Sequence, residues 1–254
     1  MKDTIAHNEA FWDKEALSQH SWSIPVSKEV IAHAKQGQWQ IHITKTPLPT
    51  SWLPRDVNNK NILCLASAGG QQGPVLAAAG ANVTVFDISE KQLELDRHVA
   101  KRDGLELKTV KGDMSDLSAF RGESFDYIIH PISNLYVPDI KSVWKECYRV
   151  LNFNGVLLSS FYNPVLFVFD RDTELEKRGL LKPINRLPYP TSLADARPNE
   201  AIIFGHTLTD QLGGQIEAGF HVIGFFEDEH PSPRFLIERY MKTMIATKSI
   251  KGSI

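Results

Sequence analysis

The feature that most constrains the fold is an alternation of short apolar runs and amphipathic segments beginning at Asn61. Apolar runs of this length predict buried strands, and apolar residues at helical spacing predict the helices that cover them. Strands that alternate with helices favour a parallel sheet with right-handed crossovers. The predicted strands are 61–66, 82–87, 105–109, 125–129, 156–161, 222–227 and 244–250, and the predicted helices are 74–79, 89–102, 140–151 and 209–218. We therefore expect a doubly wound α/β sheet with helices on both faces.

Two parts of the chain do not follow this alternation of strands and helices. Residues 1–60 contain four of the five tryptophans and four prolines, which indicates a helical and irregular arm that either packs on the main body or covers a ligand. Residues 163–205 mix five prolines with charged residues, which indicates an insertion after the fifth strand. Since added loops often carry specificity, we expect both parts to cover the site of a second substrate.

Composition narrows the classes of partner. A net charge of −2 argues against nucleic acid as the main partner. No apolar run approaches the roughly 18 residues that span a bilayer, and the start lacks a signal-peptide core, so we expect a cytoplasmic protein without a membrane segment. The nine histidines show no metal-ligand spacing, so no metal is expected. Cys64 and Cys147 lie in apolar patterns and are predicted to be buried thiols.

Small and acidic residues follow the first three predicted strands. The turn Ala68-Gly69-Gly70 comes after the first strand, Asp87 ends the second, and Asp113 follows the third. Ligands of open α/β sheets bind at the carboxyl ends of the strands. Each signal alone has another interpretation, since a strand-end Asp often caps a helix and Asp113 could be a turn residue. Their order, however, places a site for a ribose beside a site for an adenine.

Residues 61–161 resemble the core of class I S-adenosylmethionine-dependent methyltransferases, especially the group called methyltransferase type 11. The matching segments are 62–70, 85–87, 112–114, 125–130 and 149–158, of which the last is similar to the family's R-V-L-x-P-G-G turn. The resemblance implies a mostly parallel seven-stranded sheet with an antiparallel last strand. It also implies that residues 61–254 form a domain that binds S-adenosyl-L-methionine and releases S-adenosyl-L-homocysteine.

The resemblance also implies roles for single residues toward the cofactor. Gly69 and Gly70 would lie against its methionine part, Asp87 would hold the ribose, and Ile88 would lie against adenine. Asp113 would accept a hydrogen bond from adenine N6, and the Met114 N–H would reach a ring nitrogen. Ala66, Ser67 and Gln72 complete the expected cofactor-binding set.

The first strand and turn depart from the family pattern. Cys64 stands where the family usually has Asp or Glu, and Ala66 and Ala68 stand at its first two glycines. One polar contact to the cofactor is therefore absent, or is supplied by Ser67, Gln71 or Gln72.

The acceptor cannot be identified from the sequence, although a small molecule is expected. By resemblance, His130 would lie beside the methyl-bearing sulfur, where it could act as a base or only line the pocket. Trp22, Asn134 and Tyr136 are candidate substrate residues, with loop packing as the alternative for the last two. The Asn-Pro-Pro-Tyr pattern of amide and base N-methyltransferases is missing after the fourth strand.

Two other functions remain open at this point. The spacing Ala68-x-Gly70-x-x-Gly73 nearly matches the fingerprint of a nicotinamide-dependent oxidoreductase, and Asp87 could hold that ribose too. The unusual residues of the first turn are also compatible with a protein that binds an S-adenosyl nucleoside without catalysis.

Overall fold

A computed structural model describes residues 2–18, 21–169, 173–188 and 199–252. Seven strands form a single sheet in the order β3-β2-β1-β4-β5-β7-β6. The strands are β1 Asn61–Leu65, β2 Asn82–Asp87, β3 Lys108–Lys111, β4 Phe125–His130, β5 Leu151–Tyr162, β6 Phe220–Asp228 and β7 Met244–Lys251. Strands β1 to β5 pair in parallel, and β7 is antiparallel to both β5 and β6. The predicted seven-stranded fold with an antiparallel last strand is confirmed.

Helices cover both faces of this sheet. They are α1 Lys2–Leu17, α2 Lys28–Lys35, α3 Gln72–Ala78, α4 Glu90–Asp103, α5 Ile140–Val150, α6 Thr173–Lys177 and α7 Gly214–Glu217, the last preceded by a π-helical turn at Thr209–Gly213. The apolar positions predicted for the third helix are buried on one face of α5, including Val143, Trp144 and Cys147.

Strand β1 shows why the core has two halves. Its side chains alternate between the faces of the sheet, so Ile62 and Cys64 join one buried cluster while Leu63 and Leu65 join the other. A strand buried on both faces needs a continuous apolar run, and this is the run that the sequence shows. Both predicted buried thiols are confirmed, and burial raises the pKa of each well above its ordinary value.

The largest boundary errors concern β5 and β3. The predicted helix 140–151 ends at Val150, and β5 begins at Leu151 instead of residue 156, so Asn154 and Gly155 lie inside the strand. Asn154 adopts a left-handed φ of 62° there, beside a register shift between β4 and β5. Strand β3 begins at Lys108 instead of Leu105, because this edge strand pairs only with the carboxyl-terminal half of β2.

The arm packs on the helices of the main body. Helix α1 lies on α4, where the Asp13 carboxylate accepts hydrogen bonds from the Ser89 hydroxyl at 2.6 Å and the Lys91 N–H at 3.1 Å. The Asn8 side chain bonds the backbone of Ile202 through both its amide nitrogen and its oxygen, at 3.0 and 2.8 Å. Part of the predicted insertion, residues 170–172 and 189–198, lies outside the described residues.

Among the described helices, none is both long enough and apolar enough to cross a bilayer. The cytoplasmic location expected from the sequence stays a prediction.

Candidate active site

A cavity of about 330 Å³ opens at the carboxyl ends of β1 and β2 and beside the loops that follow β3 and β4. Residues of the amino-terminal arm also line it, among them Trp12, Trp22 and His42. Most of the residues predicted to form the site line this cavity: Ala66, Ser67, Gln72, Asp87, Ile88, Asp113, Met114, Trp22 and Tyr136. The lining does not include Gly69, Gly70, His130 or Asn134.

The turn after β1 keeps the backbone conformation of a glycine-rich turn. Ala66, Ala68 and Gly70 have φ values of 47°, 62° and 71°, all in the left-handed region. This region costs an L-residue with a Cβ roughly 1–2 kcal/mol, whereas glycine adopts it freely. The chain therefore carries strain at two positions where the resembled family has glycine.

Side chains of α4 hold this turn from below. The Gly69 N–H donates to Gln92 Oε1 at 2.8 Å, and the Gly70 N–H donates to Asp96 Oδ1 at 2.9 Å. A Cβ on Gly69 would lie 2.3 Å from the Gln92 carbonyl oxygen, so this position requires glycine. The two glycines thus point their N–H groups at α4 and contribute to the cavity only through the path of the turn.

Ser89 caps the start of α4, at the beginning of the predicted helix 89–102. The Ser89 hydroxyl accepts from the Gln92 N–H at 3.1 Å, as expected for an N-cap. The Gln92 side chain does not return this bond, because its oxygen accepts from Gly69 and its nitrogen donates to the Ser23 hydroxyl at 2.6 Å. Gln92 therefore joins α4, the turn and the arm.

Asp87 is a buried carboxylate on the cavity wall. Its exposed fraction is 7%, and one oxygen accepts from the Ser89 N–H at 2.9 Å. Burial raises the pKa of Asp87 to about 6, and the neighbouring Asp13 carboxylate adds to this effect. An anion held in such surroundings gains when a ligand supplies hydrogen-bond donors.

Asp113 follows β3 and lines the same cavity as Asp87. Its carboxylate accepts from the Ser115 N–H at 3.0 Å and from the Ser115 hydroxyl at 2.7 Å. Phe86, Ile88 and Met114 line the same region with apolar surface. This combination of apolar residues and two carboxylates in one cavity suits a purine nucleoside.

His130 lies outside the cavity lining, in contrast to the expectation for a base. The side chain is fully buried, its Nδ1 hydrogen-bonds the Leu65 carbonyl at 3.0 Å, and its Nε2 lies against the Asn134 side-chain amide. Asn134 is buried as well, and its amide nitrogen donates to Gln211 of the π-helical turn at 3.0 Å. Burial lowers the pKa of His130, so the structure gives this histidine the surroundings of a neutral core residue.

Part of the cavity wall is aromatic. Trp12 and Tyr136 meet edge to face at 5.2 Å between ring centroids, and Trp22, Tyr162 and His42 are also among the lining residues. His42 was not predicted from the sequence. The signal that could have indicated it is its position between two buried isoleucines, Ile41 and Ile43, which places it on the opposite side of an alternating segment. The backbone of His42 is anchored by a hydrogen bond of 3.0 Å to Gln72 Oε1.

The chain belongs to the class I S-adenosylmethionine-dependent methyltransferases, and its seven-stranded fold is that of the family. The family model described as "Methyltransferase domain" matches residues 63–159. The chain is 50% identical to the uncharacterized methyltransferase YbaJ of Bacillus subtilis, over 99% of this chain and 100% of that protein.

More distant relatives agree with this assignment. A ubiquinone biosynthesis O-methyltransferase of Actinobacillus pleuropneumoniae is 30% identical over 50% of this chain and 56% of its own length. An S-adenosylmethionine-dependent methyltransferase from Mesorhizobium loti shares the fold, with a TM-score of 0.63, 19% identity, and coverage of 79% of this chain and 94% of that one. The relatives give no support to the nicotinamide-dependent alternative.

Proposed function

We propose that the protein transfers the methyl group of S-adenosylmethionine to a small molecule bound against the aromatic part of the cavity wall. The observation that carries this proposal is the continuity of one cavity, which runs from Asp87 and Asp113 to Trp12, Trp22 and Tyr136. Its size lies at the lower end of ordinary ligand sites. A nucleoside cofactor and a small acceptor would therefore meet inside a single enclosed space.

The residues of the strand ends fit the cofactor. Asp87 would accept hydrogen bonds from the ribose hydroxyls, Ile88 and Met114 would flank the adenine, and Asp113 would accept from its N6 amine. Ser67 is buried and lines the cavity, and its hydroxyl has no hydrogen-bond partner among the described residues. We therefore assign Ser67, with Ala66 and Gln72, to the methionine part.

The turn and its supports would act on the cofactor indirectly. Gly69 and Gly70 shape the path of the backbone, and Gln92 and Asp96 hold that path through their N–H groups. These are positioning residues, since their polar groups bond the turn; of the four, only Gln92 also lines the cavity. Asp96 reaches the turn from α4, and we propose that it replaces the acidic residue whose place Cys64 occupies in β1.

The cofactor supplies an already activated methyl group. In the transfer, a lone pair of the acceptor forms the new bond to the methyl carbon while the carbon–sulfur bond breaks and its electrons go to sulfur. Where the acceptor atom carries a proton, that proton must leave to a base. The tasks left to the protein are positioning, exclusion of water and acceptance of the proton.

We propose His42 as the proton acceptor instead of His130. His42 is one of the residues that line the cavity, and no hydrogen bond engages its ring nitrogens among the described residues. His130 would act as a positioning residue, because its bond to Leu65 ties the end of β4 to the end of β1.

The experiment that tests the function combines binding and turnover. The protein is titrated calorimetrically with S-adenosylhomocysteine, S-adenosylmethionine and NADH, and is then incubated with methyl-labelled S-adenosylmethionine and pooled small molecules. We expect binding of both S-adenosyl compounds and label transfer to a small molecule. Tight S-adenosyl binding without transfer would favour the non-catalytic alternative, and preferential NADH binding would contradict the proposal altogether.

A further inference from the structure

Residues 22–26 of the amino-terminal arm, which we call the strap, are bonded to the turn that follows β1. Gln71 Nε2 donates to the Trp22 carbonyl at 3.1 Å and to the carbonyl two residues further on at 3.2 Å. In the opposite direction, the Val26 N–H donates to the Gly70 carbonyl at 2.8 Å. The turn therefore holds the strap at both of its ends.

A second connection between the turn and the strap runs through Gln92 of α4. Its side-chain oxygen accepts from the Gly69 N–H at 2.8 Å, and its nitrogen donates to the Ser23 hydroxyl at 2.6 Å. A Cβ on Gly70 would lie 2.9 Å from the Pro25 Cβ, so the two segments are also in close contact there. The position of the strap therefore depends on the backbone path of the turn.

Hydrogen bonds hold the strap more than apolar burial does. Its one buried residue is Ser23, whereas the Ile24 side chain is exposed and the other three are half-buried. Arg102 of α4 adds a bond of 2.9 Å to the Val26 carbonyl, at the carboxyl end of the strap. Segments with few buried apolar contacts open at a low cost in free energy. Loss of the bonds to the turn would therefore loosen the strap.

The turn is strained in the conformation that the strap requires. Ala66 and Ala68 have left-handed φ values, each of which costs an L-residue roughly 1–2 kcal/mol. Ser67, Ala68 and Gln71 line the cavity, so a cofactor bound there would contact the turn. A ligand that contacts the turn in this conformation stabilises it, and with it the attached strap.

We propose that cofactor binding at the turn fixes Trp22 in the cavity lining through the strap, and so completes the wall against which the acceptor binds. The inference rests on the proposed function, since Trp22 belongs to the aromatic part of that wall. Gln71 and Ser23 are positioning residues for this connection, because their side chains carry its bonds. By linkage, an acceptor packed on Trp22 tightens the cofactor by the same factor as the cofactor tightens the acceptor.

Amide hydrogen exchange of Val26 measures the connection. The Val26 N–H bonds the Gly70 carbonyl, and Val26 is not among the lining residues, so a ligand in the cavity protects this amide by way of the turn. Full-length protein is compared with and without saturating S-adenosylhomocysteine, and exchange is followed by NMR. We expect S-adenosylhomocysteine to slow Val26 exchange at least about tenfold. Unchanged exchange in protein that has bound S-adenosylhomocysteine overturns the proposal.

A fluorine label reports on Trp22 itself. In protein made with 5-fluorotryptophan, the Trp22 resonance is the one that Trp22→Phe removes. We expect this resonance to narrow when S-adenosylhomocysteine binds, because a strap held in one place no longer exchanges between positions. If Val26 exchange slows while the Trp22 resonance stays unchanged, the strap does not carry the effect to the cavity wall and the proposal fails.

Two variants interrupt the connection from its two sides. Gln71→Met removes both bonds of Gln71, and Ser23→Ala removes the bond to Gln92. Either change should reduce the slowing of Val26 exchange to less than about threefold in protein saturated with S-adenosylhomocysteine. A purely structural role would instead loosen the strap equally with and without the ligand. Ser23 is not a lining residue, so Ser23→Ala decides the test if Gln71→Met no longer binds S-adenosylhomocysteine.

Ser160→Ala is the matched control for Ser23→Ala. Both serines are fully buried, neither is a lining residue, and each hydroxyl bonds across the boundary between the arm and the main body. The Ser160 hydroxyl donates to the Ile43 carbonyl, outside the strap, so its removal should leave the slowing of Val26 exchange intact. Reduced slowing in Ser23→Ala alone supports the proposal. Full slowing in Ser23→Ala, or equal loss in Ser160→Ala, overturns it.

Calorimetry with S-adenosylhomocysteine separates failure of the inference from failure of the function. If wild type binds S-adenosylhomocysteine but Val26 exchange does not slow, transmission through the strap is ruled out while the methyltransferase remains. If wild type does not bind S-adenosylhomocysteine, the proposed function fails and the inference falls with it.

Discussion

Replacement of Asp87 by Asn should change ligand affinity and protein stability in opposite directions. In the ligand-free protein, folding buries this carboxylate and raises its pKa from the ordinary value of 3.8 to about 6. The ionised group therefore costs the folded state up to about 3 kcal/mol at neutral pH. Asn has nearly the same shape, its oxygen can still accept from the Ser89 N–H, and it carries no charge. We expect Asp87→Asn to stabilise the ligand-free protein by about 1–3 kcal/mol at pH 7, allowing for imperfect solvation of the new amide.

The pH dependence follows from the same shift. The folded pKa lies above the unfolded one, so the wild type loses stability as pH rises from about 4 to about 6 and keeps the lower value above that range. The gain from Asp87→Asn should therefore be present at pH 7 and absent near pH 4. Urea denaturation at several pH values measures this difference.

Affinity should respond with the opposite sign. Loss of the charge that accepts from the ribose hydroxyls should weaken S-adenosylhomocysteine binding by roughly 2 kcal/mol, or about 30-fold. In wild type, affinity should also fall about tenfold between pH 7 and pH 5, because the protonated carboxyl no longer accepts both bonds. The variant should lack this pH dependence in calorimetric titrations.

Asp56→Asn is the matched control for both measurements. Asp56 also accepts a hydrogen bond from the N–H two residues ahead, that of Asn58 at 3.0 Å, but it is exposed and lies outside the cavity. Its replacement should change stability by less than about 0.5 kcal/mol and leave affinity unchanged. If Asp87→Asn instead destabilises the protein and spares affinity, Asp87 is only a cap and the assignment of the ribose site is refuted.

Three further replacements test the turn and the base. Ala68→Gly should stabilise the protein by about 0.5–1 kcal/mol in urea denaturation, because the strain relieved at a left-handed φ of 62° exceeds the cost of the added chain entropy of glycine. A clear loss of stability would contradict the strain at Ala68. His42→Gln should lower turnover at least about 100-fold and leave S-adenosylhomocysteine affinity unchanged, while the exposed control His221→Gln should retain full turnover. Equal turnover in His42→Gln and wild type would exclude His42 as the base. Asp96→Ala should lower the free energy of unfolding by about 1–3 kcal/mol and weaken cofactor binding, because it removes the acceptor of the Gly70 N–H. Asp96→Asn should preserve stability and binding in the same denaturation and calorimetric assays.

Much of the fold could be predicted because its signals are local. A strand buried on both faces needs a continuous apolar run, and β1, β2 and β4 show such runs with nearly the observed bounds. The errors arose where pairing partners decide the boundary. Strand β5 extends back to Leu151 because β4 offers a partner at Phe125, and no residue near Leu151 signals this pairing.

Half of the candidate site could also be predicted from local sequence signals. Residues at the ends of parallel strands meet at one edge of the sheet, so the positions of Asp87, Asp113 and the turn follow from the order of strands along the chain. The backbone strain at Ala66 and Ala68 could not be predicted, because their φ values are known only from the structure.

The sequence by itself determined the class of sheet and the proposed cofactor residues at the strand ends, since both depend on patterns within a few residues of each other. The tertiary structure alone decided which residues complete the cavity. It buried His130 away from the cavity lining and brought His42 and Trp22 of the arm into that lining. Contacts between residues far apart in the chain depend on how whole helices and strands pack, so local sequence propensity does not predict them.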